Sequence, residues 1–274
     1  HDVVFIGDCE VYENVSPDTL WNEYGIVSYI RGSAQQLIWQ SYYLLEETLE
    51  YEKPEAVVFN VLSMKYDTPQ KEAYNRMTLD GMKWSKSKVD DIRASMMEDE
   101  EFADYVFPIL RYHSRGQELT SDDFKYLFTR RPVSQSGYYM RIDVKPAQTF
   151  PKPKKLANYE FGENSWKYLE KMRKLCEEKG IQLILVKAPS LYPAWYDEWE
   201  DQIEEYAKTY ELPYYNFLEL TDEVGIDFTK DTYDGGLHLN LSGAEKMGAY
   251  FGKILREEFQ VPDRRNDEKI ASVW

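Results

Sequence analysis

Short apolar runs separated by longer stretches with helical spacing recur along this chain. The runs are bounded by turn and helix-start residues, which is typical of β-strands. The predicted strands cover residues 3–6, 26–30, 56–62, 181–186 and 213–217. The run at 181–186 is apolar along most of its length, as expected for a strand of a parallel sheet that is covered on both faces.

The stretches between the runs predict helices. Apolar side chains at helical spacing occupy residues 35–51, 164–179 and 197–210. Ser16 and Pro17 predict a shorter helix, because a serine cap followed by proline is a typical helix start. Gly180 is typical of a helix end, and the capping box at residues 242–245 predicts the start of the last helix.

The alternation of strands and helices predicts an α/β fold built on a doubly wound parallel sheet. The pattern is interrupted once, from about residue 65 to residue 159. Residues 71–128 are predicted to be mostly helical and charged, whereas residues 129–155 contain four prolines and are predicted to be irregular. We therefore predict a single domain over residues 1–274 with a helical and irregular insertion at about 65–159.

Residues with candidate chemistry follow the ends of the predicted strands. A Gly-Asp-Cys sequence at residues 7–9 follows the first strand, and Gly32 follows the second. Asn60 lies near the end of the third strand, and His238 lies on the loop between the fifth strand and the last helix. Because sites in doubly wound sheets lie at the carboxyl ends of the strands, these residues are expected to converge at one edge.

Composition narrows the classes of function. The formal net charge is −16, from 49 acidic and 33 basic residues, so the surface should repel nucleic acid and anionic membranes. Aromatic residues make up 15% of the chain, which argues against disorder and suggests ring surfaces that contact sugars. We therefore predict no nucleic-acid partner.

The cysteines and histidines predict neither a disulfide nor a metal site. Cys9 and Cys176 are the only cysteines, and Cys176 lies in a helical pattern, so no bridge is expected between them. The chain has no paired Cys or His spacing for zinc, and residues 231–236 lack the ligand spacing of a calcium loop. No phosphate-binding glycine-rich loop follows the first strand, so we predict no cofactor.

Four segments of the chain resemble the sequence blocks of the SGNH, or GDSL-type, hydrolases. The first block of that family is Gly-Asp-Ser after strand one, and residues 7–9 match it with cysteine in the position of the nucleophilic serine. Gly32 matches the glycine of the second block, and Asn60 is the candidate for the asparagine of the third. The resemblance covers residues 1–62 and roughly 160–260, and it implies a flavodoxin-like, three-layer α/β/α sandwich with five parallel strands.

The last block of the family is Asp-x-x-His before the final helix. Here Asp234 precedes His238 by four residues instead of three, and Asp231 is the other candidate carboxylate. The resemblance implies that Cys9 is the nucleophile, His238 the base and Asp234 the residue that orients it. The alternative is that Asp231 and Asp234 only form the turn.

A cysteine nucleophile needs a base within hydrogen-bonding reach, and the base needs an orienting acceptor. A thiol at the start of a helix or turn is expected to gain reactivity, because the local peptide dipoles stabilise its thiolate. The alternative is that Cys9 is an ordinary small buried residue. The oxyanion that forms during acyl attack needs donors, for which we propose the backbone N–H groups of Cys9 and Gly32 and the side-chain amide of Asn60.

One basic segment of the insertion is a second candidate for substrate contact. Arg111, His113 and Arg115 lie within five residues of one another and are suited to an anionic or sugar substrate. The alternative is that they pair with nearby acids, of which this chain has many.

Together these features predict an SGNH-type acyl esterase or acyltransferase that acts on O-acyl or O-acetyl groups of a cell-surface glycan. The substrate would be an acylated carbohydrate or a small ester. The branch that the chain resembles is linked to D-alanylation or O-acetylation of surface polymers, which implies an extracytoplasmic location and a membrane acyltransferase as a candidate partner. The alternative is a non-catalytic glycan-binding or scaffold module, because the usual serine is replaced.

No apolar run of the sequence is long enough to cross a bilayer, and no signal peptide is present. The first predicted strand begins only two residues into the chain. This abrupt start suggests an N-terminal leader or membrane anchor that has been removed.

Overall fold

The structure is a computed structural model that describes residues 1–108, 110, 120–121, 125, 135–148 and 152–274. The fold is α/β with a five-stranded sheet in which all strands are parallel, in the order β2-β1-β3-β4-β5. The strands are β1 (Val3–Gly7), β2 (Ser28–Gly32), β3 (Ala56–Asn60), β4 (Gln182–Lys187) and β5 (Tyr214–Asn216). β1 therefore lies inside the sheet, between β2 and β3.

Helices connect the strands and extend the domain. They are α1 (Cys9–Asn14), α2 (Pro17–Tyr24), α3 (Ile38–Thr48), α4 (Glu72–Leu79), α5 (Lys86–Ser95), α6 (Phe102–Val106), α7 (Glu163–Lys179), α8 (Asp197–Thr209), α9 (Thr221–Val224), α10 (Leu241–Glu257) and α11 (Glu268–Ala271). In the part of the chain that the structure describes, 3₁₀ turns cover Val61–Lys65 and Gln135–Gly137.

Each face of the sheet is covered by its own apolar cluster. Successive strand residues point to opposite faces, so Phe59 and Leu185 pack with α3, α7 and α8, whereas Val58 and Ile184 pack with α2 and α10. Both clusters are almost fully buried. Helices on two faces of a parallel sheet are consistent with a three-layer sandwich.

Most predicted elements are confirmed, with small differences at their ends. The cap of α2 is Ser16, whose Oγ accepts a hydrogen bond from the Thr19 N–H at 3.2 Å. Gly180 ends α7 in the left-handed conformation, with φ = 65°. β2 begins two residues later than predicted and extends to Gly32, and β3 ends at Asn60, after which the chain forms a 3₁₀ turn.

Two features of the helices differ from the prediction. The capping box at residues 242–245 is wrong, because α10 begins at Leu241 and its cap is Asn240, which accepts a hydrogen bond from the Gly243 N–H. Ser242 instead donates its hydroxyl hydrogen to Asp231. The short helix α1 was not predicted, and it is the element that begins at Cys9.

The insertion contributes two described parts. Helices α4 to α6 extend the layer around α3, where the Trp39 indole N–H donates to Ser95 on α5 at 3.0 Å. Residues 138–147, which we call the strap, run from α1 to the loop before α10. The strap is held by backbone hydrogen bonds from Tyr139 N to Tyr12 O (2.8 Å) and from Lys145 N to Thr232 O (2.9 Å). The strap therefore lies at the carboxyl edge of the sheet.

The two ends of the described chain meet at the opposite edge. The Arg264 guanidinium donates to the Asp2 carboxylate at 2.7 Å, just before β1 begins. The rings of Trp21 and Trp274 are 5.8 Å apart. Both termini are thus fastened to the amino edge, away from the turn that follows β1.

Candidate functional site

The turn from β1 into α1 places Cys9 at the carboxyl edge of the sheet. Gly7 has φ = 152°, and a Cβ atom there would stand 2.6 Å from the Val11 side chain. Asp8 caps α1, because its carboxylate accepts a hydrogen bond from the Glu10 N–H at 3.2 Å. Cys9 is therefore the first residue of α1, and its side chain is half-buried.

The surroundings of the Cys9 thiol disfavour its thiolate form. Burial raises the pKa of this thiol, and the carboxylates of Asp8, Glu10 and Glu13 raise it further. Burial and the three nearby acids oppose the sequence-based expectation that the thiolate of Cys9 is stabilised. At neutral pH Cys9 carries its proton.

His238 and Asp234 form a close pair on the loop before α10. The Asp234 Oδ2 atom lies 2.7 Å from His238 Nδ1, and Asp234 Oδ1 accepts hydrogen bonds from the backbone N–H groups of Leu237 and His238. The other candidate, Asp231, is engaged by Lys246 and Ser242. Asp234 is therefore the carboxylate that contacts the imidazole.

The pair is electrostatically coupled. Burial opposes protonation of His238, but the hydrogen bond to Asp234 and the charges of Glu13 and Asp234 outweigh it, so the pKa of His238 is raised above 6.5. Burial favours protonation of Asp234, but the hydrogen bonds from His238 lower the pKa of this carboxyl. The other ring nitrogen of His238, Nε2, is buried and has no hydrogen-bond partner among the described residues.

α1 connects the histidine to the cysteine. The Leu239 N–H donates to the Asn14 side chain at 2.8 Å, and His238 Nδ1 lies 3.6 Å from Glu13 Oε2. Cys9 and Glu13 are four residues apart, so they share a face of α1 about 6 Å apart along the helix axis. The imidazole thus lies beside Glu13, the residue one helical turn after Cys9, and Nε2 makes no hydrogen bond to Sγ.

Gly32 is the last residue of β2. It is the register partner of Gly7, and a Cβ atom at Gly32 would stand 3.1 Å from the Gly7 carbonyl oxygen and 3.3 Å from that of Asp8. A side chain there would crowd two backbone atoms of the turn that carries Cys9, so glycine favours this close approach of β2. Gly32 and Cys9 are therefore neighbours at one edge.

Asn60 also lies at this edge, but its amide is fully engaged. Its two N–H groups point to Asp8 Oδ1 (3.2 Å) and Glu10 Oε2 (2.9 Å), and its carbonyl oxygen accepts from the Ala188 N–H (3.1 Å). An amide nitrogen has only two hydrogens to donate. In this structure Asn60 joins β3 to α1 and to the end of β4, and it offers no additional donor to a substrate.

Sequence reasoning missed a buried ion pair beneath this edge. The Lys187 ammonium lies 3.0 Å from both carboxylate oxygens of Glu10, and the exposed fraction of each side chain is 0%. The sequence signal for this pair was a lysine directly after an apolar strand run. No sequence signal indicated that Glu10, in the first turn of a helix, is buried. The pair links β4 to α1 and thereby fixes the helix that begins at Cys9.

Sequence reasoning also missed Glu13 and Tyr233. Glu13 is buried and accepts a hydrogen bond from the Tyr233 hydroxyl, and the Tyr233 ring stacks on that of His238 with centroids 6.0 Å apart. On the strap, the Arg141 guanidinium lies 4.3 Å from the centre of the Tyr233 ring. The signal for Glu13 was its four-residue spacing from Cys9, but this spacing is informative only in a helix, and no local pattern predicted α1.

The predicted substrate contacts of the insertion are Arg111, His113 and Arg115. All three lie outside the described residues. Within the described ranges, no group of three or more His, Cys, Asp or Glu side chains is arranged to hold a metal ion. In the same part of the chain, no helix is both long and apolar enough to cross a membrane.

Comparison with family models and with curated proteins adds no relative. No family model matches this chain, and no curated protein matches it. The resemblance to the SGNH hydrolases therefore rests on the sequence blocks, of which Cys9, Gly32, Asn60 and His238 lie toward one edge of the sheet.

Proposed function

We propose that this protein is an SGNH-type acyl esterase or acyltransferase with a flavodoxin-like, three-layer fold. In this proposal Cys9 is the nucleophile, His238 is the base and Asp234 orients the imidazole. The observation that carries the proposal is the His238–Asp234 pair, whose buried Nε2 is unpartnered among the described residues and whose ring lies beside Glu13, one helical turn after Cys9 on α1. A nucleophile, a base and an orienting acceptor are the minimum that acyl transfer by this route requires.

The protonated thiol dictates how attack would proceed. His238 Nε2 removes the thiol proton as Sγ attacks the carbonyl carbon, and Asp234 stabilises the imidazolium that forms. The tetrahedral intermediate then collapses to a thioester as the imidazolium returns the proton to the departing alcohol. Because Nε2 and Sγ share no hydrogen bond in this structure, the step requires a side-chain rotation that brings them together.

A second attack completes the reaction. Water would release the acid and make the enzyme an esterase, whereas a sugar hydroxyl would make it an acyltransferase. The backbone N–H groups of Cys9 and Gly32 are the proposed oxyanion donors. Asn60 is a donor in this proposal only if a substrate displaces one of its carboxylate partners.

The proposed substrate is an O-acyl or O-acetyl group on a cell-surface glycan. The resemblance supports this class, and so does the Tyr139 ring of the strap, which is half exposed and lies 6.4 Å from the ring of Tyr12 on α1. An extracytoplasmic location, a membrane anchor before residue 1 and a membrane acyltransferase as partner belong to the same proposal.

Trapping the acyl-enzyme tests this function. We expect acid quenching during turnover of p-nitrophenyl acetate to leave one acetyl group on the peptide that contains Cys9, because the thioester is the first product. Mass spectrometry of the digest measures it, and Cys176 is the internal control because it is buried in α7. Turnover without acetyl on Cys9, or with equal acetyl on Cys176, would rule out this nucleophile.

The pH dependence should report His238. Attack needs the neutral imidazole, and the pKa of His238 is raised, so kcat/KM for p-nitrophenyl acetate should rise with pH through a midpoint above 6.5. Below that midpoint the imidazolium cannot accept the thiol proton. A pH–rate profile at constant ionic strength measures this. Asp234→Asn should move the midpoint to lower pH, and a rate that falls as pH rises would contradict the assignment.

A non-catalytic glycan-binding or scaffold module is the second candidate. The raised pKa of the Cys9 thiol and the missing hydrogen bond between Nε2 and Sγ favour it. This alternative predicts that the protein binds acetylated oligosaccharides with unchanged affinity after Cys9→Ala and turns over neither esters nor glycans.

A further inference from the structure

His238 contacts carboxylates from two different elements. Asp234 belongs to its own loop and lies 2.7 Å from Nδ1, whereas Glu13 belongs to α1 and lies 3.6 Å from the same nitrogen. The orienting carboxylate of the triad arrangement is a single residue, so Glu13 is a surplus acid at this position. Burying an ionised acid is costly unless the acid is paired and hydrogen-bonded.

Glu13 is held in place by several groups. Its side chain is only 6% exposed and its carboxylate accepts the Tyr233 hydroxyl hydrogen. The Tyr233 ring is nearly parallel to the His238 ring, at an interplanar angle of 14°, and Arg141 of the strap covers it. Glu13, Tyr233 and His238 therefore form one packed unit in which the carboxylate cannot swing to solvent without opening the ring stack.

The position of Glu13 on α1 links this unit to the candidate nucleophile. Cys9 and Glu13 share a face of the six-residue helix, and Glu13 of this face lies beside His238 of the loop. The Leu239 N–H bond to Asn14 fastens the same loop to the next residue of α1. Any movement of α1 relative to the loop would therefore shift the Cys9 thiol and the Glu13 carboxylate together relative to His238.

We propose that Glu13 is a second carboxylate partner of His238 and a positioning residue of the candidate site. It favours the imidazolium that forms when the thiol proton is transferred, and it keeps the ring against α1 while that proton is held. The catalytic consequence rests on the proposed function, but the pairing of Glu13 with His238 does not.

Among the described residues, the charged and titratable groups around this unit lie on the histidine loop, on α1 and on the strap. His238 is faced by Asp234 on its own loop, by Glu10 and Glu13 on α1 and by the Tyr233 hydroxyl. Glu13 is additionally faced by Tyr138 and Arg141 of the strap and by Tyr12 and Cys9 of α1. Burial raises the pKa of Glu13, whereas His238 and Tyr233 lower it, so the ionised form of Glu13 depends on its partners.

Titration of the His238 ring by NMR tests the pairing without any turnover. The chain has three histidines, and the His238 signal is assigned by its loss in His238→Gln. In Glu13→Gln, which keeps the size of the side chain and removes its charge, we expect the pKa of His238 to fall by about one pH unit. Glu198→Gln, an exposed position on α8, is the matched control and should leave the titration unchanged.

A second variant keeps the test decisive if Glu13→Gln does not fold. Glu13→Asp withdraws the charge by one methylene, so a smaller decrease is expected. Asp234→Asn combined with Glu13→Gln should lower the pKa of His238 further than either change alone. A His238 titration identical to that of the parent in every folded Glu13 variant would overturn the proposal, even if stability changes. A parent protein that turns over no ester would instead count against the proposed function and leave this result untouched.

Discussion

Cys9→Ala is expected to lower kcat/KM for acetyl-ester hydrolysis by about 10³-fold or more, because it removes the atom that would form the thioester. His238→Ala should cost about as much, since members of one catalytic unit are not additive. Cys9→Ser should keep part of the activity, because serine is the usual nucleophile of the SGNH hydrolases, which the chain resembles. The activity should be lower than that of the parent, because a hydroxyl depends more than a thiol on proton removal by His238. p-Nitrophenyl acetate and an acetylated oligosaccharide are the two substrates.

Cys176→Ser is the matched control for these variants. It removes the other thiol of the chain, which belongs to α7 and is buried in the apolar cluster on that face of the sheet. It should leave kcat/KM unchanged in protein that remains folded. Unchanged activity in Cys9→Ala would show that the thiol is not the nucleophile. No activity in any form, together with retained glycan binding, would favour the binding module.

Lys187→Met is expected to lower the free energy of unfolding by about 3–5 kcal/mol, because it leaves the Glu10 carboxylate buried without its cation. Combining it with Glu10→Gln should recover part of the loss. The neutral amide no longer needs a cation and can still accept the hydrogen bond from Asn60. Urea unfolding curves of the single and double variants measure both effects.

An exposed ion pair supplies the control. Lys253 and Glu257 on α10 are 4.0 Å apart, and about two thirds of each side chain is exposed, so Lys253→Met should change stability by no more than about 0.5 kcal/mol. If Lys187→Met is no more destabilising than this control, Glu10 is not held as a buried charge and the ion pair does not fix α1 against β4.

Prediction from sequence succeeded where one local signal determines the element. The strands β1 and β4 follow from apolar runs, and α2 and α7 follow from a serine cap and a terminal glycine. The start of α10 was mispredicted because Ser242 has a tertiary partner, Asp231, so its hydroxyl is not available as a cap. A tertiary contact can thus override a capping signal, and the local sequence does not show that the contact exists.

The candidate site was only partly predictable for a related reason. Cys9 and Gly32 could be brought together from the strand pattern, since they lie at the carboxyl ends of the neighbouring strands β1 and β2. The electrostatic setting of Cys9 could not, because it depends on Asp8, Glu10 and Glu13 being buried rather than solvated. Acidic side chains are usually exposed, so the sequence positions of these three residues did not predict their burial.

The Asn60 assignment illustrates the same limit. Asn60 is the last residue of β3, but a side-chain amide serves whichever acceptors lie closest. Here these are the carboxylates of Asp8 and Glu10. Whether such an amide is open to a ligand depends on neighbours that are distant in sequence.

Both ends of the described chain lie at the amino edge of the sheet, and this determines how the protein would be oriented when it is attached to a support. β1 has five residues and spans about 16 Å, so an attachment at residue 1 and the Cys9 turn lie at opposite ends of one strand. The contact between Asp2 and Arg264 brings the chain near its carboxyl terminus to the same side. A tag, bead or other tether attached at residue 1 would therefore leave the Cys9–His238 edge facing the solution, and ligand access should not depend on the length of the linker.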